Sequence, residues 1–192
     1  MVFERDAKRY LAGRHALRSV LSQALGQPPE DLCIEIDAAG KPWLPHDAGL
    51  QFNLSHSEHF CLIATGPAAA IGVDVEVVRP VADAQALAEA HFSAAERDQW
   101  AATAVAERDR AFLGVWTRKE ACLKALGVGL SAQPSTLDVS RSAVDAEVAV
   151  PLGSEHCETQ LCALTVEGDV VAALAMAEPS AVARARRYFQ AS

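Results

Sequence analysis

No CxxC pair occurs in these 192 residues, and the five cysteines, Cys33, Cys61, Cys122, Cys157 and Cys162, are odd in number. Neither a zinc ribbon nor a complete disulfide framework is therefore suggested, and the cysteines read as reduced thiols. No uncharged apolar run approaches the roughly 18 residues of a membrane span. The opening stretch MVFERDAKRY puts charge where a signal peptide needs its apolar segment, so the expected setting is the cytoplasm. A basic excess is also lacking: 17 Lys plus Arg face 25 Asp plus Glu, a net charge of -8, which argues against a general binder of nucleic acid or anionic membrane. Neither GxGxxG nor GxxxxGKS/T occurs. His15, His46, His59, His91 and His156 show no metal-ligand spacing with one another, and no acid is spaced to complete a Ser-His-Asp triad with the histidine of Asn53-Leu54-Ser55-His56-Ser57. Internal repeats and linkers are absent.

What is present is a chain that is 51% apolar and 22% charged, long enough for one domain or two closely joined halves around a real core. From Asp6 to Leu25, Ala7, Tyr10, Leu11, Leu17, Val20, Leu21, Ala24 and Leu25 recur at the three-and-four spacing of an amphipathic helix, which Gly26, Pro28 and Pro29 stop. Its other face carries Lys8, Arg9, Arg14 and Arg18, and within residues 1 to 18 five basic groups face two acidic ones. Taken alone, that face is an ordinary solvated one. Leu32 to Ile36 alternates like a short strand, and Ala38 to Pro42 reads as a turn.

Asn53 to Ser57 reads as a turn leading into a strand from Phe60 to Thr65, with a second strand from Ile71 to Val77 after Gly66-Pro67. A helix is expected over Ala82 to Ala90. Ser93 and Glu96 form a capping-box pattern, and a long helix runs from Glu107 to Leu126, ended by Gly127 and Gly129. Leu161 to Val166, Glu167-Gly168-Asp169 and Val170 to Met176 read as a β-hairpin, followed by a basic tail from Arg184 to Arg187.

Three clusters carry chemistry. In Gly72-Val73-Asp74-Val75-Glu76 two carboxylates share one face of an apolar strand, and a cation relieves their repulsion. Mg²⁺ suits such a pair, since it takes one or two carboxylates together with water and substrate phosphate. Alone, the pair is equally the wet face of an edge strand. In Trp116-Thr117-Arg118-Lys119-Glu120-Ala121-Cys122-Leu123-Lys124, Trp116, Glu120 and Lys124 lie on one helical stripe, and spacing does not distinguish a site from a surface Glu-Lys pair beside a core tryptophan. The stretch Asn53 to Ser57 is rich in groups that could clasp a phosphate, although a turn histidine is more often structural or solvated.

In order and spacing, Gly40-Lys41-Pro42, Phe52 to Ser57, Gly72 to Glu76, Phe92-Ser93-Ala94-Ala95-Glu96 and Trp116 to Lys124 resemble the successive motifs of the 4′-phosphopantetheinyl transferase superfamily, in particular its monomeric class. The resemblance covers about residues 5 to 140, and the first helix resembles the family's basic helix. It implies an α+β fold of two similar α/β halves about a pseudo-twofold axis, 1–71 with the basic helix and nucleotide-binding turn, and 72–192 with the metal site, long helix and hairpin. It implies transfer of the phosphopantetheine arm of coenzyme A to a serine of an apo acyl or peptidyl carrier protein. Mg²⁺ would be held by Asp74, Glu76 and Glu120. Lys124 would neutralise the leaving phosphate, and Glu120 would act as general base, directly or through water. Arg9, Arg14, Lys41, Ser55 and His56 would surround the nucleotide and its phosphates, and the carrier would dock near Gly127 to Leu137. A monomer without nucleic-acid or membrane partners is expected.

Two departures from the family pattern stand out: the chain starts almost at the basic helix, without the leading lysines of larger members, and Glu58 replaces a glycine usual after Ser-His-Ser. A non-catalytic coenzyme A or carrier-binding module and a phosphohydrolase using the same carboxylates are the competing readings.

Overall fold

The computed structural model describes residues 2–37, 40–45, 49–67, 69–129, 133–140, 145–152 and 154–191, with side chains described from 9 to 185. Ala38 and Ala39 of the expected turn, 130–132 of the expected docking loop, His46, the Lys8 side chain and the Arg186 and Arg187 side chains lie outside the described residues. The fold is α+β, with helices on an antiparallel sheet and on a separate hairpin.

Helix α1 spans Val2–Leu25 and buries Gly13, Leu17 and Leu21, one residue per turn. Tyr10 and Leu11, expected on the apolar stripe, are 56% and 64% exposed, because among the described side chains the buried stripe of α1 starts at Gly13. The strand expected over Leu32 to Ile36 contracts to β1, Glu35–Ile36, which pairs with β2, Pro42–Trp43. Leu32 is instead buried beside α1, and its carbonyl accepts from the Arg18 guanidinium at 3.0 Å. A further correction concerns Asn53 to Ser57. These residues are not a turn but part of strand β3, Leu50–Ser57, paired residue for residue with β4, Phe60–Pro67, so that only Glu58 and His59 make the turn. Phe52 joins Leu17, Leu21 and Leu32 in a core between this hairpin and α1.

The larger sheet has the order β5-β8-β7-β6, from Ala70–Val77, Val170–Ala177, Glu155–Leu164 and Ala146–Leu152. The β7-β8 hairpin matches the expectation. Strand β6 was not expected, and its Pro151 sits comfortably because β6 is an edge strand. Helix α2, Ala84–His91, and helix α3, Ala94–Ala102, follow β5, and α3 starts with the capping box of Ser93 and Glu96. Helix α4, Arg108–Leu126, lies across the sheet and ends where Gly127 takes the left-handed conformation, with Val128 N–H donating to Leu123 O and Gly127 N–H to Lys124 O. The basic tail is part of helix α5, Pro179–Ala191, which buries Ala181 and Ala185.

Two contacts set the position of β5. Gly72 lets α4 come so close that an added Cβ would stand 2.1 Å from the Ala121 carbonyl oxygen and 2.3 Å from the Ala125 nitrogen. On its free edge β5 meets β3 through side chains: Asn53 Oδ1 accepts from Val73 N–H at 2.8 Å and Ser57 Oγ from Val77 N–H at 3.1 Å. Two edge amides are thus satisfied without main-chain pairing.

Candidate active site

The side-chain period of a strand puts Asn53, Ser55 and Ser57 on one face of β3, all buried and turned to β5. Each serine bonds twice. Ser55 donates to Asp74 Oδ1 at 2.7 Å and accepts from Lys124 Nζ at 3.4 Å. Ser57 donates to Glu76 Oε2 at 2.6 Å while accepting from Val77. The same oxygen of Glu76 accepts from Arg79 at 2.7 Å, and Asp74 Oδ1 accepts from Lys124 at 2.6 Å.

Helix α4 brings Glu120 and Lys124 to this face of β5. Burial pushes the Glu120 carboxyl above the ordinary carboxylate range; Lys124 opposes the shift, and Asp74 and Glu76 add to it. Asp74, 5% exposed, is also pushed up by burial, which outweighs Lys124 and Ser55, with Glu76 raising it further. The acids of β5 therefore act on Glu120 across two elements. The three carboxylates do not close on a common point: among the described residues no three His, Cys, Asp or Glu side chains form a group able to hold a metal ion. Asp74 leans on Lys124 and Glu76 on Arg79. The donor set nevertheless fits a hard divalent cation, because all the candidate ligand atoms are carboxylate oxygens and Asp74 Oδ2 is buried without a hydrogen bond.

The other predicted residues lie around this cluster. Lys41 donates to Lys124 O at 2.9 Å and Ile71 O at 3.2 Å, where its charge also suits the carbonyl end of α4. His56 is exposed on the opposite face of β3, the face that carries Phe52 to α1. Arg9 lies one turn before Gly13 and pairs with Glu58 at 2.7 Å, and Arg14 is half-buried on α1. Arg18, on the same helix, is bound to the Pro29 and Leu32 carbonyls. The sequence marked Asn53 and Ser57 only as members of a turn that could clasp a phosphate, not as the side chains that hold β5, and it gave no sign of Arg79. The alternation of Asn53, Ser55 and Ser57 was a usable signal once the stretch is taken as a strand.

A second polar group lies behind Glu120. Glu96 and Lys119, 0% and 2% exposed, pair at 2.7 Å. Glu96 also accepts from the Ser93 and Val139 amides at 2.7 Å each, and Lys119 donates to the Pro134 and Leu137 carbonyls. The segment after α4 is thereby tied to α3 and α4.

Residues 70–175 match the sequence model of the 4′-phosphopantetheinyl transferase superfamily, and residues 1–68 match that of the 4′-phosphopantetheinyl transferase N-terminal region. Similar proteins include the 4′-phosphopantetheinyl transferases HetI of Nostoc sp., 36% identical over 132 residues, and AcpT of Salmonella typhimurium, 36% identical over 143 residues. The first match covers 67% of this chain and 56% of HetI, the second 71% of each. Sfp of Bacillus subtilis is 29% identical over 176 residues, 91% of this chain and 76% of Sfp. The chain spans about half the length of HetI and of the Bacillus pumilus relative, 56% and 53%. The chain belongs to the 4′-phosphopantetheinyl transferase superfamily.

Proposed function

We propose that this protein transfers 4′-phosphopantetheine from coenzyme A to a serine of an acyl or peptidyl carrier protein, releasing adenosine 3′,5′-bisphosphate. The observation that carries the reading is the placement of Asp74 and Glu76 on one face of β5 beside Glu120 and Lys124 of α4, with Lys124 Nζ 2.6 Å from Asp74 Oδ1, in a chain of this family. Two halves, 1–71 and 72–192, would hold coenzyme A between them. Among the described residues no helix is long and apolar enough to cross a membrane; the reading includes a cytoplasmic monomer.

The serine Oγ of the carrier attacks the phosphorus that bears the pantetheine arm, the bond from that phosphorus to the bridging oxygen breaks, and the electron pair leaves with the nucleotide. Asp74, Glu76 and Glu120 would hold Mg²⁺, and the ion would supply charge neutralisation to the substrate's phosphates. Glu120, whose carboxyl is raised by burial, takes the serine proton, directly or through water. Lys124, one helical turn on, offsets the charge on the leaving oxygen. Lys41, Ser55, His56, Arg9 and Arg14 orient coenzyme A through its phosphates. The carrier docks near Gly127 to Leu137, the segment whose far end is fixed by Glu96 and Lys119.

The test is incubation with coenzyme A, Mg²⁺ and a panel of apo carrier proteins, read by intact mass. A gain of one phosphopantetheine is expected, and Glu120→Gln should abolish it in a folded protein. If every carrier stays unmodified, the transferase reading fails. Nucleotide binding without turnover would then favour the binding module, and release of bisphosphate nucleotide without an acceptor would favour the hydrolase.

A further inference from the structure

We propose that Lys124 and Arg79 are built-in counter-cations of the carboxylate cluster, and that a divalent ion binds there by displacing them. The inference rests on the reading that Asp74, Glu76 and Glu120 hold the metal, and it adds a role for Arg79, which the transfer reaction leaves unassigned.

Three carboxylates brought together across β5 and α4 repel one another, and Asp74 is too buried for water to screen it. The protein supplies two positive charges in answer. Lys124 sits 2.6 Å from Asp74 Oδ1 and also reaches Val73 O at 3.3 Å and Ser55 Oγ at 3.4 Å. An ammonium has three protons, so these three acceptors use all of them. Arg79 donates to Glu76 Oε2 at 2.7 Å and Val77 O at 3.1 Å, from a side chain 47% exposed.

Lys124 and a metal ion compete for one carboxylate. Asp74 cannot keep its ammonium contact and give the same charge fully to a divalent ion, because the two cations would then repel each other at a few ångströms in a half-buried site. Binding of the metal therefore releases the Lys124 protons from Asp74, and the freed ammonium stands one turn from Glu120 with its donors available for an anionic ligand. The same contact that holds Asp74 thus sets the order of events: divalent ion first, phosphate on Lys124 second. Arg79 acts in the same sense on Glu76, more weakly, since its exposure lets solvent screen it.

The experiment titrates Mn²⁺ alone into the full chain at fixed ionic strength, without coenzyme A, reading free Mn²⁺ by electron paramagnetic resonance. Lys124→Met should bind Mn²⁺ about tenfold tighter than the unaltered protein, as expected for removal of a competing charge at contact distance. Arg79→Ala should bind it about twofold to threefold tighter. Near-ultraviolet circular dichroism checks the fold of both, and Arg79→Ala, altered at an exposed position, stands in if Lys124→Met does not fold. Unchanged or weaker binding in the folded variants overturns the proposal. Asp74→Asn separates the two readings: if it leaves Mn²⁺ binding unchanged, the metal-site assignment itself fails, and the counter-cation role falls with it. If it abolishes binding while Lys124→Met leaves it unchanged, only the counter-cation role fails. Should the unaltered protein bind too weakly to measure, measurable binding in Lys124→Met supports the proposal, and continued absence overturns it.

Discussion

Glu58 is at the first position of the two-residue turn between β3 and β4, with φ at +50°, a conformation that L side chains adopt reluctantly and glycine adopts freely. Its carboxylate lies on Arg9, a residue assigned by resemblance to a coenzyme A phosphate. One residue therefore both strains the turn and neutralises a candidate phosphate ligand. Glu58→Gly should lower the KM for coenzyme A by up to about fivefold, the weight of an exposed ion pair, with kcat little changed. Steady-state kinetics against coenzyme A checks this, and an unchanged KM would remove Arg9 from the nucleotide site. The glycine habit of the family at this place was visible in the sequence as a mismatch. Its cause was not, because it needs the knowledge that Asn53 to Ser57 continue as strand up to the turn.

Helix α4 does two jobs from different faces, presenting Glu120 and Lys124 to β5 and burying Lys119 against Glu96. Removing one member of such a pair leaves the other charge stranded in the core. Lys119→Met should cost about 3–5 kcal/mol in urea denaturation, and the double variant with Glu96→Gln should recover part of that loss. Additive losses would mean that the two charges are not coupled. The helix itself was legible, since its apolar spacing and the terminal Gly127 are strong signals. The burial of Lys119 was not, because no local pattern distinguishes a lysine facing carbonyls of a later loop from one facing water. Helix α5 is faint in the sequence for another reason: among its described side chains the buried ones are Ala181 and Ala185, which give little hydrophobic contrast. Strand β6 did alternate, at Val148, Val150 and Leu152, but its Pro151 weakens the strand signal except at an edge.

At the scale of the molecule, α1 with β3-β4 forms one packed unit and α4 with the four-stranded sheet another, joined along β5 by Asn53, Ser55 and Ser57. Asn53→Ala strips a partner from the buried Val73 amide and should cost about 1–3 kcal/mol. Asn53→Ala with Ser57→Ala should go further and uncouple the units: transitions followed by circular dichroism and by tryptophan fluorescence, coincident in the parent, should separate. Coincidence in the double variant would mean that apolar contact between β4 and β5 already suffices to join them. That Glu120 faces Asp74 was implied only by the family resemblance, since spacing within either element says nothing of so long-range a contact. It depends on the helix settling directly on backbone at Gly72, where even a methyl group would collide with Ala121 and Ala125. That bare stretch of peptide works as a gauge block. It sets the gap between strand-borne and helix-borne acids, so their spacing is governed by an atom that is missing.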